Sequence, residues 1–300
     1  MRLKKLSVLL MDRYANYWKK VFRFLSKVFL ERLANIFGPQ IEKNGYCEFN
    51  KPIFMIGCPK SGTSITARIL GSHPDLATWI EAGRVWDNKN FYNGHSDHIW
   101  DSSDITNEDY SRIRGGFYLY KQLLNKNRIF NKHPRNSLRI KYIKEVFPDA
   151  LFVQVVRHPV PVVESLSRHS ESFWRSRYPY GLFCKPPQWR KFQNTPPLIK
   201  HSYQWEEILK YSTRNLNKLR TNFLTIKYES FCANPKKEVK RFSNFVGLNS
   251  SKYPTDIKSK YSVENKNFKA RNHLSKNGLN KVWEIVQGAA KNYGYDLNDI

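Results

Sequence analysis

The sequence that decides the fold is Ile53-Phe54-Met55-Ile56-Gly57-Cys58-Pro59-Lys60-Ser61-Gly62-Thr63-Ser64. Its first four residues are a short apolar run, which is typical of a parallel strand buried on both faces. A glycine-containing turn follows, and Ile65 to Leu70 then predicts a helix that ends at Gly71. The stretch therefore predicts a strand, a loop and a helix in succession.

The loop of this unit has the features of an anion-binding turn. Backbone N–H groups at a helix start point at a bound anion, and the helix dipole adds attraction. Gly62 permits close backbone approach, while Thr63 and Ser64 can donate hydroxyl hydrogen bonds. The loop of a nucleoside triphosphatase reads G-x-x-x-x-G-K-[ST], but here Thr63 occupies the lysine position and Lys60 comes three residues earlier. We therefore expect Lys60, Ser61, Gly62, Thr63 and Ser64 to bind phosphate without the lysine and magnesium arrangement of an ATPase.

Further apolar runs predict two more buried strands, Leu151 to Val156 and Phe223 to Ile226. Residues 84–128 are interpreted as helices and loops over the sheet, and residues 249–278 as a long loop. Helical spacing is found at Ser137 to Phe147, Pro161 to His169, from near Tyr203, at Lys236 to Val246 and at Leu279 to Tyr293. Strands that alternate with helices predict an α/β fold, with three α/β/α layers around a central parallel sheet.

Composition limits the function without selecting it. The 300 residues contain 51 Lys and Arg against 25 Asp and Glu, a net charge of +26 that favours nucleic acid, an anionic membrane or a phosphate-rich ligand. An ordinary solvated basic surface explains the charge equally well. The 40% hydrophobic content excludes a disordered chain. The four cysteines form no C-x-x-C pair, so we expect neither a zinc site nor a disulfide framework.

Residues 1–45 predict a basic amphipathic helix ahead of a single domain over residues 46–300. The segment holds ten Lys and Arg against three Asp and Glu, its apolar residues recur near a helical period, and Gly38-Pro39 predicts its end. Such a helix can lie on an anionic membrane or pack on its own domain. The sequence shows no signal-peptide pattern or membrane span, so we expect a cytoplasmic protein, with peripheral membrane contact left open.

Three motifs resemble the sulfotransferase family that uses 3'-phosphoadenosine 5'-phosphosulfate (PAPS). The family's 5'-phosphosulfate loop reads close to P-[KR]-S-G-T-[ST], which Pro59-Lys60-Ser61-Gly62-Thr63-Ser64 matches throughout. Its second motif, a strand ending in Arg with a Ser eight residues later, is similar to Val155-Val156-Arg157-His158-Pro159 with Ser165. Family members often carry Asp where His158 stands. The third block, Y-E-x-[LF] followed by P and F-[LV]-G-[LV], resembles the sequence from Ile226 to Leu248.

One branch of the family, which includes tyrosylprotein and many bacterial sulfotransferases, gives the nearest resemblance. It carries S-H-P-x and a glutamate after the phosphate loop, here Ser72-His73-Pro74-Asp75 and Glu81, and a K-x-P element, here Lys132-His133-Pro134. The resemblance covers about residues 50–295 and implies a P-loop-like sulfotransferase fold.

The resemblance also implies roles for single residues. Glu81 would be the general base, and His73 would cap a helix rather than act as a base. Lys60 and Lys132 would stabilise the leaving group. The other expected cofactor contacts are Arg157 and Ser165 to the 3'-phosphate, Tyr228 near the adenine, and Lys276 closing over the phosphates. No metal is expected, because protein cations neutralise the charge.

The acceptor is expected to be a hydroxyl of an unidentified carbohydrate, glycolipid, peptide or small metabolite. The segment from Phe173 to Trp205 is interpreted as its wall, with aromatic faces at Trp174, Tyr178, Tyr180, Trp189 and Trp205. Three rival interpretations remain: a nucleotide kinase-like phosphoryl transferase, a non-enzymatic nucleic-acid-binding protein and a catalytically inactive adaptor. No nucleic acid is expected as a partner under the sulfotransferase interpretation.

Overall fold

The computed structural model describes residues 28–87, 97–170 and 178–300, and within them five strands form one parallel sheet. The strands are Ile53–Ile56 (β1), Leu76–Ile80 (β2), Arg128–Lys132 (β3), Leu151–Val156 (β4) and Phe223–Lys227 (β5). Their spatial order is β2-β3-β1-β4-β5, and every neighbouring pair is parallel. The predicted parallel sheet is confirmed.

Helices connect and cover the strands. They are residues 28–43 (α1), Thr63–Leu70 (α2), Gly83–Trp86 (α3), Asn107–Leu123 (α4), Ile140–Val146 (α5), Pro159–His169 (α6), Trp189–Phe192 (α7), Pro197–Lys218 (α8), Tyr228–Ala233 (α9), Pro235–Val246 (α10), Ile257–Tyr261 (α11), Phe268–His273 (α12) and Lys276–Lys291 (α13). Short 3-10 turns occur at Ser102–Asp104, Pro134–Leu138, Pro179–Gly181, Ser250–Lys252 and Leu297–Asp299.

Alternate side chains of the central strand enter two different hydrophobic cores. Phe54 and Ile56 pack with residues of α4 and α5 on one face, whereas Ile53 and Met55 pack with residues of α2, α9 and α10 on the other. Because successive side chains of a strand point to opposite faces, a strand covered on both sides must be apolar throughout. The three-layer α/β/α architecture predicted from the sequence is therefore confirmed.

Two strands, β2 and β3, were not among the predicted elements, and β3 begins where residues 84–128 were interpreted as helices and loops. Strand β3 reads Arg-Ile-Phe-Asn-Lys and is buried along its whole length. Its polar side chains find partners inside the protein: Arg128 donates to the Lys51 carbonyl at 2.6 Å, and Asn131 donates to the Trp79 carbonyl at 2.7 Å. A strand with charged and amide side chains lacks the apolar pattern by which a buried strand is predicted.

The prediction that the N-terminal helix ends at Gly38-Pro39 is wrong. α1 continues to residue 43, and its glycine serves close helix packing instead of termination. A Cβ on Gly38 would lie 2.8 Å from the Gly116 nitrogen and 2.9 Å from the Arg112 carbonyl oxygen, both in α4. Residues 28–43 thus pack on the domain, while residues 1–27 lie outside the described part of the chain.

Two smaller predictions also need correction. The predicted helix from Ser137 to Phe147 is a 3-10 turn followed by α5, with Arg139 between them in a non-helical conformation. Residues 249–278, interpreted as a long loop, contain a 3-10 turn and the short helices α11 and α12. In the three described ranges, no helix has the length and apolarity needed to span a membrane.

Candidate active site

The carboxyl ends of the five strands meet at one edge of the sheet and place most of the predicted site residues there. Glu81 follows β2, Lys132 ends β3, the phosphate loop follows β1, Arg157 follows β4 and Tyr228 follows β5. Ligands of open α/β sheets bind in the crevice outside these ends. The strand order puts the phosphate loop in the middle, with Glu81 and Lys132 on one side and Arg157 and Tyr228 on the other.

The phosphate loop ends in a helix start with no side-chain cap. Gly62 occupies the N-cap of α2 with φ 82°, and a Cβ at this position would overlap the Tyr228 ring. The N–H groups of the first helical turn are therefore available to an external anion. Ser61 is buried, and among the described residues its hydroxyl has no hydrogen-bond partner. A buried polar atom without a partner is uncommon and fits a loop built to receive a polar ligand.

Ser137, which the sequence analysis did not assign to the site, fixes the beginning of the loop. Its hydroxyl accepts a hydrogen bond from the Gly57 N–H at 2.9 Å and lies 3.2 Å from the Gly57 carbonyl. Gly57 itself has φ 152°, and a Cβ there would lie 2.9 Å from the Thr63 methyl. Ser137 thus holds the turn that carries the chain from β1 into the phosphate loop.

Arg157 joins the phosphate loop to the far side of the crevice. Its Nη1 donates to the Lys60 carbonyl at 3.1 Å, and its Nε donates to Oδ1 of Asn267 at 2.9 Å. The guanidinium lies over the Tyr228 ring, with Cζ 4.4 Å from the centroid. Within the described residues no carboxylate pairs with this guanidinium, and burial lowers the pKa of Arg157 from its usual value. The Glu229 carboxylate attracts the guanidinium only across Asn267, so this half-buried charge lacks a direct ion pair in the described part of the chain and favours the binding of an anion.

A buried polar network behind Arg157 was also missed by the sequence analysis. Asn267 accepts from Arg157 and donates through Nδ2 to Oε1 of Glu229 at 2.8 Å. Glu229 also accepts from the His158 N–H at 3.0 Å and from the Tyr295 hydroxyl at 2.8 Å. Asn267 therefore connects the late loop, the segment after β5 and the C-terminal segment to the candidate phosphate-binding arginine.

The three other predicted cofactor contacts, Ser165, Tyr228 and Lys276, differ in their burial and surroundings. Ser165 is half-buried on α6, on the same helix as Arg168 and His169, which lie within electrostatic reach of Lys60. The Tyr228 ring is buried between Gly62 and Arg157, so it supports both phosphate-binding groups, and its contact with adenine stays a prediction. Lys276 is exposed at the first turn of α13.

His158, which stands where family members often carry Asp, caps α6. Its Nδ1 accepts from the Val160 N–H at 3.3 Å, and its Nε2 lies 2.9 Å from the Asp296 carbonyl. A helix N-cap needs a side-chain acceptor, and an imidazole nitrogen supplies it here as a carboxylate would. The prediction that His73 caps a helix is wrong: it lies in the turn before β2, where its Nδ1 accepts from the Asp75 N–H at 3.2 Å and its Nε2 lies 3.1 Å from the Asn249 carbonyl.

On the opposite side of the phosphate loop, Glu81, Lys132 and Ser64 form one hydrogen-bonded group. Lys132 Nζ donates to Oε1 of Glu81 at 2.8 Å and to the Ser64 hydroxyl at 3.1 Å. The Lys132 side chain is 2% exposed, whereas that of Glu81 is 44% exposed. Glu81 has a left-handed backbone, with φ 58°, and its N–H donates to the Lys132 carbonyl at 2.7 Å. The lysine orients a carboxylate that an acceptor can reach from solvent.

Lys60 lies between the two halves of the site. Burial lowers the pKa of its ammonium to about 8, and repulsion from Arg168 and Lys132 adds to this, while Glu81 acts in the opposite direction. Its backbone is left-handed, with φ 68°. Such non-glycine conformations cost about 1–3 kcal/mol and are concentrated at functional sites. A bound phosphate would raise the pKa of this lysine again, because an anion favours the charged form.

The acceptor wall stays a prediction, and the structure removes two of its aromatic residues. Trp189 and Trp205 are buried in hydrophobic clusters and offer no free face, so that part of the prediction is wrong. Tyr180 is exposed, and Tyr178 lies edge-on to Phe183 with ring centroids 5.1 Å apart. Trp174 lies outside the described residues. Much of the aromatic density of this segment therefore serves core packing.

Three buried cations, Arg135, Arg139 and Lys185, were not predicted from the sequence. Arg139 lies over Trp100, with Cζ 3.4 Å from the ring centroid, and burial together with Arg135 lowers its pKa to about 9. Burial and Arg135 likewise lower the pKa of Lys185 to about 8. Isolated Arg and Lys residues in the sequence carried no signal that they would be buried together.

Comparisons with known proteins agree with this geometry. The family model described as "Sulfotransferase family" matches residues 52–252. A curated relative, the "Putative protein-tyrosine sulfotransferase" of Caenorhabditis briggsae, is 22% identical over 208 residues, which is 68% of each chain.

Two bacterial crystal structures share the fold at TM-score 0.52. They are sulfotransferase STF1 of Mycobacterium tuberculosis, 16% identical over 88% of this chain and 84% of its own, and sulfotransferase STF9 of Mycobacterium avium, 10% identical over 86% and 82%. Since the family model spans about two thirds of the sequence, the resemblance found in the motifs is confirmed: this chain belongs to the sulfotransferase family and is a sulfotransferase enzyme.

Proposed function

We propose that this sulfotransferase transfers the sulfuryl group of PAPS to an acceptor hydroxyl, with Glu81 as the general base. The observation that carries the proposal is the contact between Arg157 and the phosphate loop: the guanidinium donates to the Lys60 carbonyl at 3.1 Å and, within the described residues, reaches the Glu229 carboxylate only through Asn267. The anion-binding turn of the phosphate loop and the Arg157 guanidinium are therefore neighbours. A nucleotide phosphorylated at both its 5' and 3' positions matches this pair.

The residues present fit such a nucleotide. The uncapped start of α2 and the buried Ser61 hydroxyl suit the 5'-phosphosulfate, and Arg157, with Ser165 on the neighbouring helix, suits the 3'-phosphate. PAPS supplies the sulfuryl group when it is bound. Lys60 and Lys132 are the cations closest to the expected leaving group, so they would stabilise the negative charge that develops there.

Glu81 is the group best placed to take the proton of the acceptor. Its carboxylate is oriented by Lys132, reaches solvent, and lies across the phosphate loop from Arg157. A positioned carboxylate that accepts the hydroxyl proton contributes typically 10²–10⁴-fold to a transfer rate. Lys132 has a positioning role as well, because the same ammonium holds Glu81 and Ser64 in one group.

The acceptor is a hydroxyl compound, and the names of the relatives narrow the choice only in part. The relative from Caenorhabditis briggsae is named for protein tyrosine, which makes a peptide tyrosine one acceptor to test beside carbohydrates, glycolipids and small hydroxyl metabolites. We further propose that transfer requires no metal, since Lys60, Lys132 and Arg157 already supply cations at this edge of the sheet.

The proposal is tested by following conversion of PAPS to its desulfated product, 3'-phosphoadenosine 5'-phosphate (PAP), with each acceptor class in the presence of EDTA. We expect acceptor-dependent release of PAP, and the Glu81→Gln variant should lose roughly 10²–10⁴-fold in rate while it binds PAP like the wild type. Magnesium-dependent consumption of ATP, with none of PAPS, would instead favour the kinase interpretation. Undiminished turnover by Glu81→Gln would remove this residue from the mechanism.

A further inference from the structure

The outward face of α1 carries large apolar side chains. Phe29, Ile36 and Phe37 are 60%, 66% and 52% exposed. Residues seven apart lie on the same side of a helix, so Phe29 and Ile36 share one face, with Phe37 at its border. Adjacent exposed apolar side chains of this size mark an interaction surface rather than an ordinary solvated helix.

Charged side chains of α1 are segregated between its two faces. Both acidic residues turn towards the domain: Glu31 is buried, and Glu42 accepts from Nε of Arg114 in α4 at 2.7 Å. The basic residues Arg32 and Lys43 are exposed. The outward face therefore combines apolar and cationic side chains, and no carboxylate of α1 lies on it.

The sequence before α1 has the same composition. Residues 1–27 contain eight Lys and Arg and one acidic residue, Asp12. Trp18, Phe22 and Leu25 precede Phe29 by eleven, seven and four residues, which is the spacing of one helix face. These residues lie outside the described structure, so only their composition and spacing are compared with those of α1.

We propose that the outward face of α1, defined by Phe29, Arg32, Ile36, Phe37 and Lys43, docks on an anionic lipid surface. Apolar side chains enter the boundary between headgroups and acyl chains, while neighbouring Lys and Arg are attracted to anionic headgroups. Two other partners, nucleic acid and a second copy of this chain, fit the combination of apolar and basic side chains less well. A nucleic-acid backbone offers nothing to exposed Phe and Ile, and a second copy of a chain with net charge +26 brings the same positive charge.

Because α1 packs closely on the domain, docking through α1 would also orient the enzyme. A Cβ on Gly115 would overlap the Gly38 carbonyl, so α1 and α4 are in backbone contact. Arg114 further ties α4 to the end of α1 through Glu42 and through the Cys47 carbonyl at 2.7 Å. A helix held this closely to the domain would fix the orientation of the whole enzyme when it docks.

The test is co-sedimentation of the full chain with vesicles of phosphatidylcholine alone or mixed with phosphatidylserine. We expect partitioning to be at least roughly tenfold stronger on the vesicles that contain phosphatidylserine, and to weaken as salt is added. The Ile36→Ser/Phe37→Ser double variant should lose roughly tenfold in partitioning. Leu219→Ser, at an exposed apolar residue after α8, is the matched control and should bind like the wild type.

Thermal stabilisation by PAP, measured on each variant, shows whether the fold is intact, and Phe29→Ser replaces the double variant if that one fails to unfold cooperatively. The proposal is overturned if the protein ignores anionic vesicles or if the substitutions leave its partitioning unchanged. It is equally overturned if the double variant converts a dimer into a monomer and the wild type binds no vesicle, since the surface would then join two copies. Loss of vesicle binding does not affect the proposed transfer reaction, which the PAPS assay tests separately.

Discussion

Lys60 and Glu81, both assigned to the chemistry, have left-handed backbones, with φ 68° and 58°. A non-glycine residue in this region is uncommon and is retained where the surrounding structure enforces it. For Glu81 the enforcing contact is its N–H, which donates to the Lys132 carbonyl. The Lys132 ammonium links the Ser64 hydroxyl, four residues after Lys60, to the candidate base Glu81.

The lowered pKa of Lys60, about 8, predicts a pH dependence for nucleotide binding. Only the protonated ammonium attracts the anion, so the affinity for PAP is high below this pKa and declines as the pH rises through it. The nucleotide phosphates are already ionised above pH 7, because their second pKa is about 6. Between pH 7 and pH 9 we expect roughly a tenfold loss of affinity in calorimetric titrations.

The control for this prediction is Lys60→Arg. A guanidinium keeps its charge throughout this pH range, so the decline between pH 7 and pH 9 should disappear in the variant. A decline of equal size in Lys60→Arg would assign the titration to another group.

Asn267 is predicted to position Arg157, since it bridges that guanidinium to Glu229. Asn267→Ala should weaken PAP binding roughly tenfold, as expected for a hydrogen bond to a charged group, and leave binding of adenosine 5'-monophosphate unchanged. A purely structural defect would weaken both nucleotides alike. Asn277→Ala removes an exposed residue of the same type in the first turn of α13 and should alter neither affinity.

At the scale of single elements, the crossing of α1 and α4 depends on the absence of side chains at Gly38 and Gly115. Gly115→Ala would force the two helices apart, because the new Cβ would overlap the Gly38 carbonyl. We expect a loss of about 1–3 kcal/mol in the free energy of unfolding, as for other overpacked contacts.

Denaturant unfolding checks this prediction, and the chain supplies a matched control. Gly288 lies in α13, and a Cβ at that position would meet nothing within 4 Å. Gly288→Ala should therefore raise stability slightly through helix propensity. If Gly115→Ala were as harmless as Gly288→Ala, the two helices would not be in the close contact described.

The elements that the sequence predicted well are those with unbroken apolar runs. β1 is such a run, β4 and β5 are nearly so, with Gln154 and Thr225 as the interruptions of the predicted runs, and the helices α2, α6, α10 and α13 have clear helical spacing. β3 was missed because Arg128, Asn131 and Lys132 interrupt its pattern, and their burial depends on partners far away in the chain. The glycine and proline in α1 resembled a helix end, but the requirement for glycine came from α4, which no local pattern reveals.

The residues of the candidate site also divide into those that a local sequence pattern predicts and those that only tertiary contacts reveal. Motifs that directly follow a predicted strand, such as the phosphate loop and Arg157, are brought together at one edge by the parallel sheet, so their proximity followed from the fold class. Lys132 reaches the same edge as the last residue of β3, a strand that the sequence did not predict. Asn267 and Ser137 carry no motif, because an isolated amide or hydroxyl acquires its role from tertiary contacts alone. Their roles emerged only from the structure.

At the scale of the whole molecule, the net charge of +26 has two proposed uses on different surfaces. Cations at the carboxyl edge of the sheet would bind the doubly phosphorylated nucleotide, and the outward face of α1 would meet anionic lipid. Both interactions should weaken with salt, but a bound and partly buried nucleotide is screened less than an exposed helix.

The central claim is that one nucleotide is held at both ends, by the phosphate loop at its 5' position and by Arg157 at its 3' position. Calorimetric comparison of PAP with adenosine 5'-monophosphate tests this most directly. We expect the wild type to bind PAP at least ~100-fold more tightly, since two charge-assisted hydrogen bonds are at stake, and Arg157→Ala to remove most of the difference. Equal affinity for the two nucleotides, or a preference for PAP that survives in Arg157→Ala, would contradict it.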